Sequence, residues 1–326
     1  MINIRNRLFL ALFLSLCLGI PATALAQAYP SRPIRVLVPY PPGGVFDAIL
    51  RPLAQQLGDA LGQTVILDNR PGGNTVIAMD ACAKAPADGY TICATSNDSM
   101  SVIPHLYKKL PYDSDYSFAP VSNLLFIDEV IVASPGAPFN SFREMISYAK
   151  ANPGALNFGS FGTGSSAHLM LEWIKIQAGA NITHVPYKGG GPVVTATLAG
   201  EVQLTYMGTG ALLPHIKAGR VKAIAVTQTK RSSFLPDVPT MGEQGMEFQL
   251  KPWIGIVVPA ATPKAVISKL STEMAKIIAN PKFREEFLIR QGFEPIGNTP
   301  EEFAEFLKED RKLGIMLVKT SGVTLD

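Results

Sequence analysis

The chain has 326 residues, 29 Lys and Arg against 26 Asp and Glu, a formal net charge of +3, and 47 % apolar residues. That balance offers no basic surface for nucleic acid or an anionic membrane. The length suffices for one large domain or for two lobes, each with its own core.

The first element is a signal peptide. Arg5 and Arg7 precede an apolar run at 8–20 that only Ser15 interrupts, then Pro21, then the small residues Ala24 and Ala26 on either side of Leu25. This is the three-part pattern of a removed secretory segment. The run is shorter than the roughly 20 residues of a spanning helix. The chain is therefore expected to be cut after Ala26, losing residues 1–26, and to work in the periplasm. Cys17 leaves with the signal. Cys82 and Cys93 stay, either as a bridge in an oxidising compartment or as two small buried hydrophobes.

Strand and helix then alternate. The spacing predicts strands at 34–39, 64–67 and 90–94, with helices at 45–57 and 74–84 between them. This βαβαβ series makes a parallel sheet flanked by helices. A second series follows: strands at 129–133, 156–158, 181–186, 202–206 and 223–227, with helices at 141–151, 167–179, 192–200 and 211–218. Ser141 with Glu144 forms a capping-box pattern. A Pro- and Gly-rich loop covers 228–250, a strand 253–258, and three helices 264–278, 281–291 and 300–321 end the chain. The fold class is α/β with two lobes, each a mostly parallel sheet flanked by helices, and a ligand cleft between them. Lobe 1 is expected at 29–130 plus 255–326, and lobe 2 at 131–250. Two short chain crossings between lobes make a hinge.

One local pattern occurs twice. The first strand runs through Tyr40-Pro41-Pro42 into Gly43-Gly44, and a helix starts near Val45, followed by Phe46 and Asp47. The strand at 156–158 runs into Gly159, Ser160, Phe161, Gly162, Thr163, Gly164, Ser165 and Ser166, and a helix starts near Ala167, followed by His168. Helix starts leave backbone N–H groups without partners and favour anions, while glycine lets a ligand reach the backbone. Neither turn contains Lys or Arg, which suits a carboxylate better than a polyphosphate. The GxxxxGK[ST] loop is absent.

Catalytic and metal chemistry finds little support. His105, His168, His184 and His215 have no metal-ligand spacing. His168 near Ser165 and Ser166 invites a hydrolase reading, yet the GxSxG elbow is missing and no acid is placed to orient the ring. Asp47 reads as a first-turn acid on its own helix dipole. No cofactor is expected, and a binder is expected in place of an enzyme.

Several motifs together carry a family resemblance: 29–44 (YPSRPIRVLVPYPPGG) with Asp47, 68–73 (DNRPGG), 87–91 (ADGYT), 106–113 (LYKKLPYD), 159–169 (GSFGTGSSAHL), 184–189 (HVPYKG), 217–220 (KAGR), 235–240 (LPDVPT) and 253–255 (WIG). In order and spacing the chain resembles the substrate-binding receptors of tripartite tricarboxylate transporters, the TctC or Bug-type proteins. The resemblance implies a two-lobe, type-II-like binding fold and a small mono-, di- or tricarboxylate ligand. It also implies delivery to a membrane permease, and a monomer. An exported sensor partnering a membrane kinase, or a carboxylate-processing hydrolase, are the alternatives. The resemblance carries ligand binding over to Gly43, Gly44, Val45, Phe46 and Asp47, and to Ser160, Gly162, Thr163, Gly164, Ser165, Ser166 and His168; Met207 and Gly208 are further candidate ligand-binding residues of this chain's own pattern. Two departures stand out. One glycine fewer follows Arg70. The segment 206–210 (YMGTG) lacks the acid the family often carries there, which speaks against an amino-acid ligand; Met207, Phe46 and Phe161 would suit an apolar or aromatic carboxylate instead.

Overall fold

Strand β1 (Ile34–Val38) buries four of its five residues, the signature of a strand covered on both faces. The computed structural model describes residues 29–248 and 251–325, so the expected signal peptide lies outside the described residues. After β1, helix α1 (Val45–Leu61) buries Ile49, Leu50, Leu53, Ala54 and Leu57, the spacing of one helical face, and stops at Gly62 in the left-handed conformation (φ 68°). It runs one turn past its predicted end. Strand β2 (Val65–Asn69), helix α2 (Val76–Ala83) and strand β3 (Thr91–Ser96) complete the unit, with β1 parallel to both β2 and β3.

The stretch after β3 was not foreseen as regular structure. It forms a π-helical turn (Asp98–Val102), a short helix α3 (Ile103–Leu106) and the ten-residue strand β4 (Phe118–Ile127). Strand β5 (Glu129–Ala133) follows after a single residue. Next come α4 (Phe142–Ala151), β6 (Asn157–Ser160), α5 (Ser166–Ala178), β7 (Thr183–Pro186), α6 (Gly190–Ala199), β8 (Leu204–Gly208), α7 (Thr209–Lys217) and β9 (Lys222–Val226). Ser141 caps α4 by accepting the Glu144 N–H, as its sequence pattern predicts. The chain closes with β10 (Trp253–Pro259), α8 (Lys264–Ala279), α9 (Pro281–Phe283), β11 (Phe293–Pro295) and α10 (Pro300–Ser321). The predicted helix at 281–291 is broken: only its first turn is α-helical, and a π-turn and a 3-10 turn follow.

Two sheets result. The first has the order β11-β4-β10-β3-β1-β2, the second β7-β6-β8-β5-β9. Strand β10 is antiparallel to β3 and β4, and β11 is antiparallel to β4. In the second sheet β6 is parallel to β7 and β8, while β5 is antiparallel to β8 and β9. All first-sheet strands lie within 34–127 and 253–295, and all second-sheet strands within 129–226. Residues 32–326 form one compact unit. Part of the reason is α10. It begins on the first sheet's side, where Phe303 packs with Trp253, and its last turns put Leu317 and Val318 into the buried cluster of Phe158, Leu169 and Tyr206. At about 1.5 Å per residue a helix of this length can span both cores.

Cys82 of α2 and Cys93 of β3 form a disulfide, which resolves the alternative left open by the sequence. It closes a short loop and pins α2 to the sheet. Chain-entropy reasoning gives it about 3 kcal/mol. The variant Cys82→Ala/Cys93→Ala is expected to lose stability on that order in urea unfolding, while reductant leaves the variant unchanged and lowers the wild-type midpoint.

Candidate functional site

The first glycine turn is held by Asp47. Its Oδ2 accepts the Gly43 N–H at 2.9 Å and the Arg51 Nε and Nη2 at 3.0 and 2.6 Å, and its Oδ1 accepts Asn69 Nδ2 at 3.1 Å. Burial pushes the carboxyl up, but the bonds from Gly43, Arg51 and Asn69 outweigh it and hold the group below the usual carboxylate range. Asp47 therefore shapes the turn from within. Gly43, at φ +84°, takes a conformation that suits glycine. The first intrahelical bond of α1 runs from Ala48 N–H to Gly44 O at 3.1 Å, so the N–H groups of Val45, Phe46 and Asp47 have no intrahelical acceptor. Gly43 and Gly44 are exposed beside them, and Phe46 packs on Tyr40 with ring centroids 4.6 Å apart.

The second turn is more occupied. Ser165 caps α5: its hydroxyl accepts from His168 N–H and donates to Gly162 O at 2.7 Å. The Gly164 N–H donates to His168 Nδ1 at 3.0 Å, so the ring proton sits on Nε2, 3.7 Å from Glu172. His168 stacks on His184 at 3.8 Å, and His184 Nε2 lies 2.6 Å from Ser160 Oγ. Gly164, at φ +80°, takes a conformation that side chains rarely adopt, and a Cβ there would also press on the tip of Leu325 at 2.7 Å. Thr163 is exposed, and its carbonyl accepts from Asn74 Nδ2 at 2.9 Å, a direct bond between the two turns' surroundings.

The junction between the sheets holds residues that the sequence did not single out. Asp98, just past β3, accepts hydrogen bonds from both the hydroxyl and the N–H of Ser166, the first residue of α5. Asn97 Nδ2 donates to it at 3.1 Å and Tyr40 OH at 3.4 Å. Burial pushes Asp98 up to about 6. Glu129 opens β5 opposite Gly208 and is 4 % exposed, with Oε2 lacking a hydrogen-bond partner. Burial raises it well above the carboxylate range, and the charges of Asp98 and Asp128 add to that. The available signal was an acid at the head of an otherwise apolar strand, Glu129-Val-Ile-Val-Ala133. Met207 sits on the opposite face of β8 in an apolar cluster with Val130, Val193 and Leu212, and Gly208 is buried at the strand end against Ile127. Among the described residues no cluster of His, Cys, Asp and Glu is placed to hold a metal, and no helix is long and apolar enough to cross a membrane. A surface groove of about 730 Å³ runs along α1 and β2, lined by Gln55, Asp59 and Gln63, on neither turn.

The histidine pair makes a pH prediction. Burial lowers His184 to about 4, helped by the charges of His168 and Lys175. The fold thus favours the neutral ring. This contribution is complete above the unfolded value near 6.5 and is lost as pH falls towards 4. Asp98, with its raised value, acts in the opposite sense, so the difference between proteins is the readout. The variant His184→Gln is expected to narrow its stability gap to wild type between pH 6.5 and 4. A gap that stays constant across that range in thermal unfolding rejects the assignment.

With this geometry in view, comparisons with known proteins are specific. Residues 49–323 match the model of the tripartite tricarboxylate transporter family receptor. The chain is 39 % identical to a UPF0065 protein of Bordetella pertussis over 303 residues, 93 % of each chain. It is 36 % identical to protein BugT of the same organism, over 94 % of each. Among solved structures, periplasmic binding protein BugD superposes with a TM-score of 0.83 at 33 % identity, over 91 % of this chain and 99 % of that one. The Rhodopseudomonas palustris protein Rpa4515, solved with adipate, gives 0.85 at 30 % identity, over 91 % and 99 %. MatC of the same organism, with bound malate, gives 0.82 at 26 % identity, over 89 % and 100 %. The α/β fold of two helix-flanked sheets is the one these periplasmic binding proteins share, and the chain belongs to the tripartite tricarboxylate transporter receptor family.

Proposed function

We propose that the chain is a periplasmic solute-binding receptor, a monomer without catalytic activity. Its lobes, 29–130 plus 255–326 and 131–250, close on a small organic carboxylate, which the receptor then hands to a tripartite tricarboxylate-type permease. The observation that carries this reading is the start of α1: three helix N–H groups without intrahelical acceptors, beside two exposed glycines, in a turn that Asp47 shapes from behind. A ligand carboxylate there gains the helix dipole without a formal counter-charge. Thr163 and the Ala167 N–H of the second turn complete the grip from the other side. The remaining donors of that turn serve it internally, with Ser160, Gly162, Gly164, Ser165 and His168 fixing its shape and Ser166 engaged by Asp98. Relatives solved with adipate and malate support the ligand class, and the signal-peptide pattern supports export.

The contact of Ser160 Oγ with His184 Nε2 superficially suits a nucleophile and its base. Ser160 is, however, fully buried, and its hydroxyl is also within reach of the Gly162 carbonyl at 3.1 Å. That arrangement fixes a turn and presents no nucleophile to a substrate.

A thermal-shift panel of adipate, malate, succinate, citrate and benzoate tests the reading. A true ligand at one hundred times its Kd adds about 2.7 kcal/mol, a rise of roughly 4 °C for a chain of this size. The decisive variant is Gly44→Asp. Gly44 has extended backbone (φ −92°), and a Cβ there would meet only the Pro41 carbonyl oxygen at 3.9 Å, an ordinary contact, so an aspartate there caps α1 with its own carboxylate. The variant is expected to be as stable as wild type or more so, and to lose the ligand-induced shift. A full shift in Gly44→Asp would exclude the α1 turn as the carboxylate site.

A further inference from the structure

The junction between the sheets gathers buried carboxyl groups, and the fold leaves one of them without a full set of partners. Glu129 and Ile131 alternate onto the same face of β5, and their partners across the ladder are Gly208 and Tyr206. Ile131 and Tyr206 lie in the cluster that packs against α5, so Glu129 projects to the α5 face. It does so at the end of the sheet where α5 starts, because β6 leads into α5 and runs parallel to β8. Asp98 reaches the same place from the first sheet and meets Ser166 there. The charges acting on Glu129 are those of Asp98 and Asp128, both acids. Those acting around Asp98 include a third buried acid, Asp310. Glu129 Oε2, Tyr206 OH and Thr209 Oγ1 are buried polar atoms with no hydrogen-bond partner.

An unpaired acid this deeply buried is costly unless something supplies a counter-charge or hydrogen-bond donors. We infer that the cleft recognises a carboxylate bearing a protonated amine, an amino acid in its zwitterionic form, with the carboxylate on the start of α1 and the ammonium between Glu129 and Asp98. The inference rests on the receptor reading above and narrows its ligand. It also reverses the expectation drawn from segment 206–210: the acid missing there is replaced by acids contributed from β5 and from the turn after β3. An ammonium brings three donors to acceptors that lack them. A second carboxylate at the same place would face two carboxyl groups with no base, and could enter only with a proton. The two ligand classes thus carry opposite proton signatures. An ammonium beside Glu129 favours its charged form and so drives proton release, whereas a second carboxylate disfavours that form and takes protons up or leaves them in place.

The test is calorimetry on the mature chain at pH 7, in buffers of different ionisation enthalpy. The probes are α- and ω-amino acids of three to six carbons and dicarboxylates of the same lengths, including 6-aminohexanoate against adipate. The expected result is an amino acid that binds tighter than its matched dicarboxylate, with proton release. Glu129→Gln should weaken that amino acid roughly ten- to hundredfold and leave dicarboxylates unchanged or tighter. Asp98→Asn should act in the same direction, and it carries the test if Glu129→Gln does not fold. If dicarboxylates bind and no amino acid does, the inference is overturned while the receptor reading stands. Amino-acid binding undiminished in both folded variants also overturns it. If neither series binds, the carboxylate reading falls, and this inference with it.

Discussion

A single residue, Asp128, stands between the last strand position of one sheet and the first of the other. Its N–H donates to Gly292 O at 3.0 Å, beside β11 of the first sheet. Its carbonyl accepts the Thr209 N–H at 2.6 Å, at the end of β8 in the second, and its carboxylate is held by the Ser232 hydroxyl. Strands β4 and β5 are thus one extended run of chain with a tethered joint. This is why Glu129, the next residue, is delivered to the meeting place of the two sheets, and why the ends of β3, β6 and β8 converge there. The placement of these groups depends on this joint more than on any single side-chain contact.

The two helix starts that face this region are not equivalent. At α1 the fold supplies an acid from behind, Asp47, and leaves the leading N–H groups without an intrahelical partner. At α5 it supplies an acid from in front, Asp98, which takes the first N–H and hydroxyl itself. The same dipole physics therefore leaves one helix start with N–H groups free of intrahelical acceptors and gives the other an acid as its cap. The sequence presents both as a glycine-rich turn before a helix, because glycine and serine content does not reveal which donors the fold will spend on itself.

Most of the strands and helices were legible, since β1, β5 and β10 are nearly continuous apolar runs and the long helices repeat their apolar residues at a helical period. Strand β4 was not. It carries Pro120, Ser122 and Asn123 in its interior, and these polar positions become sense only when Asn298 is seen to bond them: its side chain accepts the Asn123 N–H at 2.8 Å and its carbonyl accepts Ser122 Oγ at 2.7 Å. That partnership spans the chain and leaves no local trace. The turn residues 43–47 and 160–168 were identifiable from type and spacing. Asp98 and Glu129 were not, because a lone acid in a polar turn or at a strand end usually meets water, and only the tertiary arrangement buries them.

Helix α10 adds a mechanical consequence. It is rooted beside Trp253, whose indole N–H donates to Asp310 at 2.9 Å, while Leu317 and Val318 are sunk in the other core. The molecule therefore has a rigid strut alongside its two backbone crossings. A pure clamshell opening would have to pull those two side chains out of their cluster, at about 1.5–3 kcal/mol each. Rotation about the long axis of the strut would leave them seated. A twist with the strut as its axle therefore disturbs less buried apolar contact than a hinge opening does.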